Sequence, residues 1–187
     1  GLTYQWQEDS GSGFTNIALA TGSSYTKSSV TSSMNGYLYR VRVTGTCTAA
    51  AFYPVAGVSL TVNEKPEITV QPIASVICET TGTSFTVDAG VTTVPTYVWQ
   101  VSTNGGVSYA VVSDDAEHDN VTSSTLDLVS IPLGFNGRLY RVIVSGTCGP
   151  SVTSNGALLS VQQSVTVSVP PSAQVTCEGS DAIYSVT

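Results

Sequence analysis

Charge is what this sequence has least of. Only 10% of its 187 residues are Asp, Glu, Lys or Arg, against about a quarter in an ordinary globular chain. Six basic residues face 13 acidic ones, for a net charge of −7 and a pI near 4.3. No basic cluster is larger than Arg40/Arg42 or Arg138/Arg141. Nucleic-acid binding needs a basic stripe to neutralise phosphates, so that function is excluded. An anionic membrane surface would repel the chain for the same reason. There is no run of 18 apolar residues, so no membrane insertion is expected. Histidine occurs once, and none of the four cysteines lies in a C-x-x-C pair, so no zinc set can be assembled. Helical periodicity with caps is absent too.

What is present is apolar and β-branched. Hydrophobic residues make up 41% of the chain and the mean hydropathy is +0.18, enough for packed cores. Solubility then falls to Ser, Thr, Asn and Gly, a habit of secreted β proteins. Cys47, Cys78, Cys148 and Cys177 are widely spaced. In such a chain they read as oxidised staples in an oxidising, extracellular or cell-surface setting.

The chain repeats itself. Thr3-Tyr4-Gln5-Trp6-Gln7 recurs 93 positions on as Thr96-Tyr97-Val98-Trp99-Gln100. Asn35-Gly36 through Thr46-Cys47 recurs 101 positions on as Asn136-Gly137 through Thr147-Cys148, with Tyr39-Arg40-Val41 matching Tyr140-Arg141-Val142. The second copy therefore carries eight extra residues between these blocks. A third block, Val76-Ile77-Cys78-Glu79 on to Phe85-Thr86-Val87, recurs 99 positions on as Val175-Thr176-Cys177-Glu178 on to Tyr184-Ser185-Val186. One complete copy spans 65–164. Residues 1–64 lack the start of a copy and 165–187 are only a start, so the chain reads as a piece excised from a longer array.

The complete copy alternates in period two between turn clusters. Strands are expected at 67–71, 74–78, 83–89, 95–102, 108–112, 124–129, 138–145 and 157–162. Turns are expected at Glu79–Gly82, Asn104-Gly105-Gly106, Leu133–Gly137 and Gly146–Pro150. Seven or eight short strands in about 100 residues predict an all-β sandwich.

The spacing of core residues narrows the type. Val87 lies 12 positions before Trp99, and Tyr140 two before Val142. This resembles the immunoglobulin superfamily pattern of strand-B position, strand-C tryptophan and Tyr-x-Cys on strand F, with valines where that family places its core cysteines. The resemblance implies tandem immunoglobulin-like β-sandwiches of about 100 residues. Trp6 and Trp99 would be their core indoles, Val87 and Val142 the flanking residues, and Tyr39 and Tyr140 the strand-F tyrosines. Tyr97-x-Trp99-Gln100-x-Ser102-x-x-Gly105-Gly106, Asn136-Gly137-x-x-Tyr140-Arg141, Cys148-Gly149 and Ser154-Asn155 also resemble the repeats of large surface adhesins and gliding-motility proteins of Bacteroidetes. That resemblance implies secretion, surface anchoring, adhesion and a spacer role. On this reading 1–64 is an incomplete domain with strands C to G, 65–164 a complete one, and 165–187 supplies strands A and B of a further one.

Two cysteine pairings stay open. Cys78 and Cys148 could pair within one sandwich. Alternatively, an A–B cysteine such as Cys78 could reach the F–G cysteine of the following domain. The sandwich template objects to the first: Cys148 lies six residues beyond Val142, roughly 20 Å of strand, whereas bridged Cα atoms lie within about 7 Å, so a noncanonical first strand would be needed to bring the two together.

Chemistry-bearing candidates are few. Asp114, Asp115, Glu117, His118 and Asp119 form the one acidic cluster, within the insertion. Calcium needs six to eight converging oxygens; the spacing matches no EF-hand loop, and the plainer reading is a solvated loop. His118 has no recognisable nucleophile and acid around it, so it reads as an exposed loop residue and no catalytic residue is expected. Neighbouring Asp114 and Asp115 point to opposite faces of an extended chain and make a poor glycosidase pair. Asn120-Val121-Thr122 is a sequon. Arg40 and Arg141 are expected on sheet surfaces.

The open ends suggest partners. Residues 1–64 alone would expose Trp6 and unpaired strand edges. Either the parent chain continues upstream, or residues 165–187 of another copy fill the gap by strand addition in a head-to-tail, non-closing fibre. The expected function is a non-enzymatic spacer or stalk. A carbohydrate- or calcium-dependent binding module using the 113–120 loop is the alternative.

Overall fold

The computed structural model describes residues 1–47 and 50–187. The chain forms two compact units. The first comprises Gly1–Thr69 with Ala89–Thr96 and Val144–Val152, and the second Val70–Asp88, Tyr97–Ile143 and Thr153–Thr187. No helix among the described residues is long and apolar enough to cross a membrane.

The first unit is built on one sheet. Strands β1 (Thr3–Asp9), β2 (Thr15–Asn16), β3 (Leu38–Thr44) and β4 (Ala51–Ser59) lie in the order β2-β1-β3-β4, each pair antiparallel. Trp6 pairs with Val41 across β1 and β3.

The remaining strands make two sheets. They are β5 (Ser75–Cys78), β6 (Thr83–Thr86), β7 (Thr96–Ser102), β8 (Ala110–Val111), β9 (His118–Asp119), β10 (Thr125–Leu128), β11 (Leu139–Ser145), β12 (Val152–Thr153) and β13 (Ala157–Gln162). One sheet runs β6-β10-β9 and the other β5-β13-β11-β7-β8, with β12 beside β11. Burial alternates along β11 and β13, as a strand with one face in the core requires. Trp99, Tyr140, Phe85, Leu126, Leu128, Ile131, Leu159 and Val142 are all buried to within 2% of full enclosure; Val87 is buried as well.

Several expected elements differ. Residues 67–71 form no strand; only the bridge between Val70 and Asp88 remains, because Pro66 and Pro72 flank the segment and proline donates no ladder hydrogen bond. In 1–64 the stretch 24–27, matching β10, is not a strand. Its expected neighbour, the counterpart of β6, is not in this stretch of chain. The cysteines are corrected more sharply: Cys47, Cys78, Cys148 and Cys177 are all unbonded. The Cys78–Cys148 pairing within one sandwich is not formed: Cys78 ends β5 opposite Gln162, whereas the Cys148 thiol faces the Asn63 carbonyl oxygen at 3.6 Å.

Candidate functional site

The acidic cluster is not a converging site. Asp115 Oδ1 accepts hydrogen bonds from the backbone N–H of Glu117 (3.0 Å) and His118 (2.8 Å). It also lies 2.8 Å from His118 Nδ1. Asp119 accepts from the backbone of Asn120, whose amide donates to Asp127. The carboxylates of Asp114 and Glu117 join neither contact set. Among the described residues no group of three or more His, Cys, Asp or Glu is placed to hold a metal ion.

His118 contradicts its expected exposure. It is only 6% exposed, and its Nε2 lies 3.1 Å from the Tyr140 hydroxyl. With a carboxylate on Nδ1, that nitrogen carries the proton, and Nε2 accepts from Tyr140. The ring also stacks on Phe135 with centroids 5.7 Å apart. Burial pushes the Asp115 carboxyl up, but the His118 ring and the Glu117 and His118 N–H groups outweigh it and hold the carboxyl below its usual range. Burial raises the Tyr140 phenol. A Tyr–His–Asp chain suggests acid–base chemistry on paper. Tyr140 is fully enclosed, so no substrate atom reaches it, and the chain acts as an internal lock.

The first unit locks the matching tyrosine with other residues. Tyr39 donates to Glu8 Oε2 at 2.6 Å, and Lys27 Nζ donates to the same oxygen at 2.8 Å. The Lys27 and then the Tyr39 hydrogen bond hold the Glu8 carboxyl below its usual range, while burial and then Glu8 push the Tyr39 phenol up. Glu8 and Lys27 carry no motif, so sequence reasoning missed them.

Other contacts recur in the two units at matching positions. Trp6 Nε1 donates to Gly22 O at 3.0 Å, and Trp99 Nε1 to Ser123 O at 2.9 Å. Arg40 Nε and Arg141 Nε donate to Gln7 and Gln100, each at 2.8 Å. The guanidinium groups lie over the rings of Phe14 and Tyr109, each at 3.7 Å. Asn35 and Asn136 side chains accept from Val62 N and Val161 N, each at 2.9 Å.

Burial is where the units part. Trp6, Val41, Val43, Leu60 and Val62 are only half-buried. Their counterparts Trp99, Val142, Val144, Leu159 and Val161 are enclosed. Within the first unit a cavity of about 340 Å³ opens beside Val30, Thr31, Val62, Asn63 and Glu64. Cys148 Sγ lies 3.6 Å from the Asn63 carbonyl oxygen. Residues 165–187 are exposed throughout.

No protein-family model matches the chain, and no curated protein does. Solved structures are similar in fold. The I-band fragment I67–I69 of titin matches 91% of this chain over 58% of its own length, at 12% identity and a TM-score of 0.59. A 3Ig structure of an E-to-A variant of the same titin domains matches with a TM-score of 0.58, at 11% identity and the same coverage. Drosophila OTK extracellular domains 3–5 match 86% of this chain over 52% of their own length, at 16% identity and a TM-score of 0.50. The chain thus spans little more than half the length of these structures. At such identities the likeness shows the fold alone: the chain is all-β and immunoglobulin-like.

Proposed function

We propose that this chain is a non-enzymatic spacer of tandem immunoglobulin-like repeats of about 100 residues, in a secreted surface adhesin or extracellular filament of the bacterial gliding-motility type. Its repeats run 1–64, 65–164 and 165–187. The recurrence of the indole, arginine and asparagine contacts at matching positions carries this reading, because one sandwich built twice is a structural module rather than a tailored active site. The bacterial setting rests on the sequence motifs alone.

A spacer transmits force through its junctions. The stretch 63–67 is held by hydrogen bonds rather than left as a loose linker. Glu64 N donates to Thr93 Oγ1 at 2.8 Å, and Glu67 N to Thr92 Oγ1 at 3.0 Å. Thr147 N donates to Thr93 O at 3.0 Å, and Pro66 is buried. Partners are therefore neighbouring immunoglobulin-like domains of the same chain or other copies. The alternative, a carbohydrate or calcium module on 113–120, loses its best ligand, since Asp115 is taken up by the turn and His118. Electron microscopy of the parent protein tests the reading: beaded threads are expected, and a compact particle contradicts it.

A further inference from the structure

We infer that Asn155 is a site of spontaneous covalent modification: its side chain closes on the Gly156 amide, loses ammonia and opens with water to aspartate and isoaspartate. Four Asn-Gly pairs occur in the chain, at 35–36, 104–105, 136–137 and 155–156. All four asparagines are exposed, so exposure does not separate them. Hydrogen bonding does.

The reaction joins two groups, the asparagine carboxamide and the N–H of the next residue, which must approach in the right geometry. In two of the pairs both groups are engaged. Asn35 accepts from Val62 N, and Gly36 N donates to Leu60 O at 2.8 Å. Asn136 accepts from Val161 N, and Gly137 N donates to Leu159 O at 2.9 Å. In a third pair the carboxamide is held at both ends. Asn104 Oδ1 accepts from Ser102 Oγ at 2.9 Å and from Ser108 N at 3.0 Å, and its Nδ2 donates to Ser108 Oγ at 2.7 Å. Asn155 differs. Its own N–H donates to Gln71 Oε1 and its carbonyl accepts from Ser154 Oγ, each at 2.9 Å. Among the described residues nothing bonds its carboxamide or the Gly156 N–H.

The fold makes this opening. Ser154 takes over the ladder at Val142: its N–H donates to Val142 O, and its Oγ accepts from Val142 N, each at 2.9 Å. β13 then pairs with β11 from Ala157, opposite Tyr140. Residues 155 and 156 fall between these anchors, so the ladder passes over the Gly156 amide. Packing also demands glycine there. A β-carbon on residue 156 would meet the Tyr109 hydroxyl at 2.9 Å, and the Arg141 guanidinium lies over that tyrosine ring. Glycine leaves the amide nitrogen unshielded. At the matching place 99 positions earlier the sequence reads Ala56-Gly57, which cannot undergo this reaction.

The chemistry balances with water alone. The Gly156 nitrogen bonds to Asn155 Cγ and gives up its proton as ammonia leaves, closing a succinimide. Water then adds to one of the two ring carbonyls and breaks its bond to nitrogen. Opening at Cγ gives aspartate. Opening at the main-chain carbonyl routes the chain through Cγ and gives isoaspartate, with one extra main-chain carbon just before β13. Either product adds a negative charge.

A hydrogen bond that must break before attack slows the reaction roughly five- to tenfold. The test incubates the full chain in mildly alkaline buffer and follows the four Asn-Gly peptides by mass spectrometry, with enzymatic methylation marking isoaspartate. A parallel sample is unfolded in urea. In the folded chain Asn155 should convert roughly five- to tenfold faster than Asn35, Asn104 and Asn136, with isoaspartate among the products. In urea the four rates should converge, since each asparagine has the same following residue. Asn155→Gln should remove the fast phase and leave the other three rates unchanged. Another pair converting as fast as Asn155 in the folded chain would overturn the inference. So would an Asn155 peptide that converts in urea and stays intact in the folded chain.

Discussion

At the scale of single residues, the tyrosines on β3 and β11 show how matching positions can be locked by different chemistry. Tyr140 hands its hydroxyl to a buried histidine, Tyr39 to a carboxylate shared with Lys27. Removing His118 leaves Tyr140 and Asp115 without their partner, so His118→Ala should cost about 1–3 kcal/mol, measured by urea denaturation. Truncating Trp99, which is fully enclosed, should cost about 3–5 kcal/mol and unfold the second sandwich, seen as loss of near-ultraviolet dichroism. Glu8 has a pH signature. Its folded carboxyl titrates below the ordinary 4.5, so its contribution is complete above pH 4.5 and is lost as pH falls through the lower folded value. Glu8→Gln should lower stability at pH 7 by about 0.2–1 kcal/mol, the worth of a partly exposed pair, and should flatten the decline below pH 4.5. The core position of Trp99 could be read from the sequence, because an indole on an alternating strand has one way to hide. The burial of His118 could not: it depends on Tyr140, 22 residues away in the chain.

At the scale of elements, strands with their own alternation were the legible ones. β7, β11 and β13 fall where period two puts them. The segment 67–71 does not become a strand, because pairing is a tertiary event and its flanking prolines decline it. Stretch 24–27 makes the same point from the other side: its polar and aromatic residues match β10 in register, but an edge with no neighbour forms no ladder. The cysteine pairing was not legible for a related reason. Spacing in sequence showed that each copy holds two cysteines, but reach depends on which strand ends are brought together. Residues 165–187 bury nothing, so deleting 166–187 should change the stability of the second sandwich by no more than about 0.5 kcal/mol, read from its thermal transition.

At the scale of the whole molecule, the proposal is that residues 1–64 and 65–164 share one immunoglobulin-like module, whose first strands are matched in sequence by 165–187. The internal match of blocks was visible in the sequence. The half-burial of Trp6 was not, because burial is a property of assembled sheets. The most direct test moves residues 165–187 ahead of residue 1 through a five-residue linker standing in for positions 89–93, and follows amide hydrogen exchange. A monomer is expected in which the amides of 4–7 and 39–43 become as protected as those of 97–100 and 140–144. Exchange in 4–7 and 39–43 as fast as in the parent chain would contradict it.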